Sequence, residues 1–207
     1  MAKLVFEEKE EYFELLKRYA EICSELEIPY LHHTVDSFWE RNDSEEAKEE
    51  YIKIGAESTG KVNEYAKTLG VKTIIENQGY LFNGVSYFRK FRDYTGGVIG
   101  TLLDTGNIVF ADETAVEFGE AFKNSICHVH IKDYLYVDPS DEGRAYSSMS
   151  GRRFRGCPLG EGIVDFEKIA SLLDGINYNG YYSIELEGAE SESDFLVAMN
   201  YIEKTFS

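Results

Sequence analysis

Apolar residues recur along this chain in two alternating rhythms. Between residues 7 and 26, Phe13, Leu16, Tyr19, Ala20 and Cys23 fall at helical spacing. Residues 28–35 are a compact apolar run that reads as a strand, and residues 36–43 a polar loop. Ser44-Glu45-Glu46 then opens a long helix reaching about Leu69, stopped by Gly70. Strands are predicted over 71–77, 97–104 and 126–133, with a helix over 113–124. The aromatic-rich stretch 80–94 is ambiguous and reads as a loop with a short helix. A polar loop covers 134–157, and a short strand or turn 160–165. A helix over 166–173, a strand over 180–186 and a terminal helix over 191–206 complete the pattern. This alternation predicts a parallel α/β domain. With no low-complexity tract or linker, residues 1–207 read as a single domain.

The ends of four apolar runs carry chemistry. Glu76 ends TIIEN, Asp104 sits in GTLLDTGN, His130 in CHVHIKD and Glu185 in YYSIELEG. The successive separations are 28, 26 and 55 residues. One strand, one helix and short loops take about 30 residues, so the spacing implies one side chain per βα unit with one unit skipped. The fold class expected is (β/α)8 TIM-barrel type. It is incomplete, with about six clear βα units, a further strand stub at 3–6, and the first βαβ absent or reduced. Strands of such a barrel end on one face, where these four side chains would converge. Three carboxylates in one pocket repel one another unless a positive group sits among them, and a divalent cation is the simplest one.

Composition narrows the partners. At 207 residues and 43% hydrophobic, the chain can bury a core, though it is short for a barrel of roughly 250 residues. Its net charge of −17 argues against nucleic acid, whose phosphates need clustered Lys and Arg. No apolar run approaches the roughly 20 residues of a membrane span. Cys23, Cys127 and Cys157 form no CxxC and read as free thiols of a reducing compartment, which points to a cytoplasmic enzyme.

The runs IIENQG, LLDTGN, HVHIKD, PLGEG and SIELEG together resemble the xylose isomerase-like barrels over roughly residues 10 to 205. That family includes sugar isomerases, ketose 3-epimerases, inosose dehydratases and an endonuclease branch. The resemblance implies that Glu76, Asp104, His130 and Glu185 hold one divalent ion, Mn²⁺ first, with Mg²⁺, Co²⁺ or Zn²⁺ as alternatives. It selects His130 over His128, and Glu185 over Glu187. It further implies a sugar or polyol ketone isomerase or epimerase working through an enediolate, with Glu76 and Glu185 as acid and base. An inosose-type dehydratase is the nearest alternative. A non-catalytic or partner-completed fragment is another, with a homo-oligomer or partner chain covering the missing N-terminal units.

Several further residues take expected roles. Lys132 shares a face with His130, and either stabilises an oxyanion or pairs with a metal carboxylate. His128 lies on the same face, against the metal site or the substrate. Asp133 faces away and caps the loop. Asn107 stands where the family often has His, and can bond a substrate hydroxyl. Of His32 and His33, one can face the pocket, with His33 the candidate substrate contact. Arg155, before Cys157-Pro158-Leu159-Gly160, either contacts substrate oxygens or, with Arg152 and Arg153, neutralises nearby acids. Gly160-x-Gly162 reads as a tight turn, not a phosphate loop. The four histidines cannot build the endonuclease branch's three-zinc cluster.

Overall fold

The computed structural model describes residues 9–35, 44–187 and 192–206. The strand stub at 3–6 and the polar loop at 36–43 lie outside the described residues. Two compact units divide between Leu102 and Leu103, within a strand.

In the first unit, α1 (Lys9–Glu25) leads into β1 (Tyr30–His32), α2 (Glu45–Thr68), β2 (Lys72–Glu76), α3 (Val85–Tyr94) and the start of β3 (Gly100–Asp104). Helix α2 starts where Ser44 accepts a bond from the Ala47 N–H, 3.2 Å away, and Glu45 and Glu46 suit its positive end. Its buried face offers Ile52, Ala56, Val62 and Ala66. Val62 and Ala66 pack with Leu16 and Ala20 of α1 and with Leu31 and Val71. Full burial of each Leu and Val among them contributes about 1.5–3 kcal/mol, so this cluster outweighs the weak propensity of either helix. Gly55 sits mid-helix because a Cβ there would come within 2.7 Å of Val35. Strands β1, β2 and β3 pair parallel, with His32 opposite Ile74 and Glu76 opposite Leu102.

The second unit continues from the end of β3 into a 3₁₀ turn over Asn107–Ala111 and then α4 (Ala115–Phe122). A reciprocal capping box between Thr114 and Glu117 starts that helix. Next come β4 (Ile126–Ile131), β5 (Tyr134–Tyr136), β6 (Tyr146–Ser147), β7 (Arg153–Gly156), α5 (Phe166–Gly175), β8 (Tyr182–Ile184) and α6 (Glu192–Thr205). Asp165 caps α5 by accepting from the Lys168 N–H. Strands β4 and β8 pair parallel, His130 opposite Ser183.

The segment 160–165 forms turns, one of the two forms expected of it, which leaves five parallel strands among the described residues. One expectation needs correction. The stretch 134–157 is no plain loop but a three-stranded antiparallel sheet in the order β5-β7-β6. Its inner face buries Tyr134 and Phe154 against Val109, Phe110 and Tyr146. Asp133 explains the turns. Its carboxylate accepts from the backbone N–H groups of Tyr134, Gly160, Gly162 and Val164 at 2.9–3.1 Å. A Cβ at Gly162 would collide with that carboxylate, and Gly160 has φ +84°, so both positions require glycine. No helix among the described residues is long and apolar enough to cross a membrane.

Candidate metal centre

Each of the four side chains stands at or next to a strand's C-terminal end. Glu76 is the last residue of β2, Asp104 the last of β3, and His130 the penultimate residue of β4, while Glu185 follows β8 directly. In the second unit Asp104, His130 and Glu185 come together, with His130 Nδ1 2.8 Å from Glu185 Oε1 and 3.9 Å from Asp104 Oδ2.

The local chemistry explains how such groups tolerate burial. Asp104 is fully buried. Its Oδ1 accepts from the N–H groups of Gly106 (2.8 Å) and Asn107 (2.6 Å), at the start of the 3₁₀ turn. That leaves Oδ2 directed at Lys132 Nζ (3.3 Å) and His130 Nδ1 (3.9 Å). Glu185 Oε1 is 2.8 Å from His130 Nδ1, and its Oε2 is 2.5 Å from Lys132 Nζ. The His130 contact, with Lys132 adding to it against the opposing effect of burial, holds the Glu185 carboxyl down at about 2. In the first unit, buried Glu76 lies 3.4 Å from His32 Nε2.

Lys132 is placed by its neighbours. Thr105 Oγ1 accepts from the Lys132 N–H (2.9 Å) and donates to the Lys132 carbonyl (2.8 Å). Gly106 leaves a lane for the lysine stem, since a Cβ there would come within 2.9 Å of Lys132 Cβ and Cγ. Asn107 Oδ1 is a third acceptor for the ammonium, at 3.4 Å. Of the two roles open to Lys132 from sequence, the structure displays the ion pair.

The remaining candidates separate. His128 bonds Ser183 Oγ through Nε2 (2.8 Å) and meets the His130 ring edge-on at 5.4 Å, as a packed neighbour of that ligand candidate. Glu187 accepts from the Tyr134 hydroxyl, which sets it apart from Glu185. Arg155 binds Asp141 (2.7 Å) and the Arg144 carbonyl (3.0 Å). Arg152 binds Asp112 (2.7 Å), and Arg153 binds the Asp141 carbonyl (2.6 Å). All three arginines therefore brace the small sheet and its loops. His32, not His33, is the histidine beside Glu76, and sequence parity alone could not choose between them.

His33 instead lines a cavity of about 220 Å³ with Tyr12, Leu16 and Val62. Burial pulls its pKa down to about 4, only partly offset by Nδ1 lying 3.4 Å from the Thr34 carbonyl. With the folded value below the usual 6.5, the unfolded chain takes up the proton first as pH falls. The stability due to neutral His33 is present above about pH 6.5 and lost toward pH 4. Urea denaturation should show the wild type losing about 2 kcal/mol more than His33→Leu between about pH 7 and pH 5. Equal acid sensitivity in the two proteins would refute this.

The donor set suits a hard or borderline divalent ion, with three carboxylates and one imidazole and no thiolate. Ligand atoms about 2.1–2.2 Å from one ion lie at most about 4.4 Å apart, and in the second unit His130 Nδ1 lies 2.8 and 3.9 Å from oxygens of Glu185 and Asp104, inside that span. The residues present therefore fit such an ion.

A family model described as xylose isomerase-like TIM barrel matches residues 4–205. An inosose dehydratase of Clostridium perfringens is 32% identical over 143 residues, which is 67% of this chain and 48% of that protein. The chain thus spans about half the length of that relative. A D-psicose 3-epimerase from Clostridium cellulolyticum H10, solved with D-tagatose, superposes with TM-score 0.73 at 13% identity, covering 96% of this chain and 72% of that one. A xylose isomerase-like TIM barrel protein from Mycobacterium smegmatis, solved in complex with magnesium, superposes with TM-score 0.71 at 17% identity, covering 99% and 70%.

Proposed function

This chain belongs to the xylose isomerase-like TIM barrel family, and we propose that it is a divalent-metal-dependent enzyme that moves a proton next to the carbonyl of a sugar or polyol ketone. The observation that carries this reading is the gathering of Asp104, His130 and Glu185 at strand ends of the second unit, with Glu76 at a strand end of the first. In this reading the four hold one ion, and Asp104, locked by two backbone N–H groups, is its most rigid anchor. The ion would act as a Lewis acid for the substrate carbonyl and a neighbouring hydroxyl, contributing several kcal/mol toward enediolate charge. Glu76 and Glu185 serve as base and acid, one taking the proton and the other returning one, which by itself contributes about 10²–10⁴-fold. His128 supports His130, and Asn107 faces a substrate hydroxyl.

Epimerisation or isomerisation is the first reading. Dehydration of an inosose is the second, favoured by the 32% identical dehydratase. Both begin with the same proton removal. The test is elemental analysis of the purified protein after incubation with Mn²⁺, Mg²⁺ or Zn²⁺, followed by a panel of ketoses and inososes in D₂O. Near-stoichiometric metal, chelator-sensitive turnover and solvent deuterium in the product are expected. A product lighter than the substrate by one water would select the dehydratase. A chain that retains no divalent ion, or turnover indifferent to chelator, would dismiss the mechanism.

A further inference from the structure

We propose that Lys132 is a built-in counter-cation that competes with the divalent ion for Asp104 and Glu185, and so sets the metal affinity of the centre; this rests on the metal-dependent reading above. The geometry is specific. Lys132 Nζ lies 2.5 Å from Glu185 Oε2, 3.3 Å from Asp104 Oδ2 and 3.4 Å from Asn107 Oδ1, and only 12% of its side chain is exposed. Asp104 Oδ1 is committed to two backbone N–H groups, so Oδ2 is the oxygen that ammonium and metal must share. Thr105 grips the Lys132 backbone on both sides, and Gly106 leaves only a lane for its stem. The ammonium is thus held among the acids, not free to swing into solvent.

Two opposing effects follow. A monovalent cation between buried Asp104 and half-buried Glu185 screens their mutual repulsion, which favours the folded chain when divalent ion is scarce. The same charge repels a divalent ion a few ångströms away and occupies oxygens that the ion needs. Lys132 therefore trades metal affinity for stability of the metal-free protein. A lysine that merely packs would, when removed, lower both stability and metal affinity.

The experiment is calorimetric titration of the full chain with Mn²⁺, with melting curves in chelator and in saturating Mn²⁺. Lys132→Met should bind Mn²⁺ on the order of tenfold more tightly than wild type. It should melt lower than wild type in chelator and at or above wild type in Mn²⁺. Lys132→Arg, which keeps the charge, should stay close to wild type. Lys132→Gln gives a second neutral side chain that can still bond Glu185, so the comparison survives if the Met variant folds poorly. Unchanged or weaker Mn²⁺ binding in both neutral variants would overturn this role while leaving the metal reading intact. Failure of the wild type itself to bind Mn²⁺ would remove the metal reading, and this role with it.

Discussion

Glu185→Gln should lower kcat/KM by about 10³-fold or more on whichever ketose or inosose the wild type turns over, and should sharply reduce the divalent metal retained per chain. Two losses combine in this expectation. The amide cannot exchange a proton in the enediolate step, which alone is worth about 10²–10⁴-fold. It is also a weaker ligand than a carboxylate, and it leaves His130 Nδ1 and Lys132 Nζ, now 2.8 and 2.5 Å from Glu185 oxygens, with a neutral neighbour. Glu187→Gln is the matched control, since that carboxylate is engaged by the Tyr134 hydroxyl and should leave metal content near wild type. Elemental analysis and steady-state kinetics on both variants decide it. Equal metal and equal rates for Glu185→Gln and wild type would remove Glu185 from the site.

The second large effect is on stability. Asp133→Ala should lower the melting temperature by roughly 10 °C, read by circular dichroism or calorimetry. Asp133 is 1% exposed, and its two oxygens satisfy four backbone N–H groups from two separate stretches of chain. Each buried donor left unpaired costs about 1–3 kcal/mol, and partial relaxation or entering water keeps the total near 3–5 kcal/mol. For a chain of this size each kcal/mol moves the midpoint by about 2–4 °C. Asp133→Asn keeps one oxygen acceptor and should fall between alanine and wild type. A shift under about 3 °C for the alanine variant would mean that the turn at 158–164 does not depend on this carboxylate.

How legible was this in the residues alone? Helices α2 and α5 were, because apolar periodicity is local and their caps, Ser44 and Asp165, are written beside them. Strands β2, β3 and β4 were legible as short apolar runs ending in a functional side chain. The small antiparallel sheet was not. Arg153-Phe154-Arg155 does alternate, with Phe154 buried, but the three nearby arginines drew the eye as a basic cluster. Only their partners, Asp112, Asp141 and loop carbonyls, show them bracing that sheet. The residues of 160–165 alone fit strand or turn equally, because what organises them, Asp133, lies 27 or more residues away. The choice of His32 over His33 beside Glu76 likewise depended on which face of β1 meets β2, which alternation alone does not tell.

What the sequence by itself determined is the βα rhythm, the family, and the positions of the acids and the imidazole at strand ends, because hydrophobic period and spacing are local properties of a chain. What only the tertiary structure decided is which oxygen faces which neighbour: Lys132 paired with Asp104 and Glu185, Glu187 tied to Tyr134, and the arginines spent on their own loops. Those pairings join residues apart along the chain, and burial makes the one at Asp104 count most, since a charge out of water must find a partner wherever folding puts one.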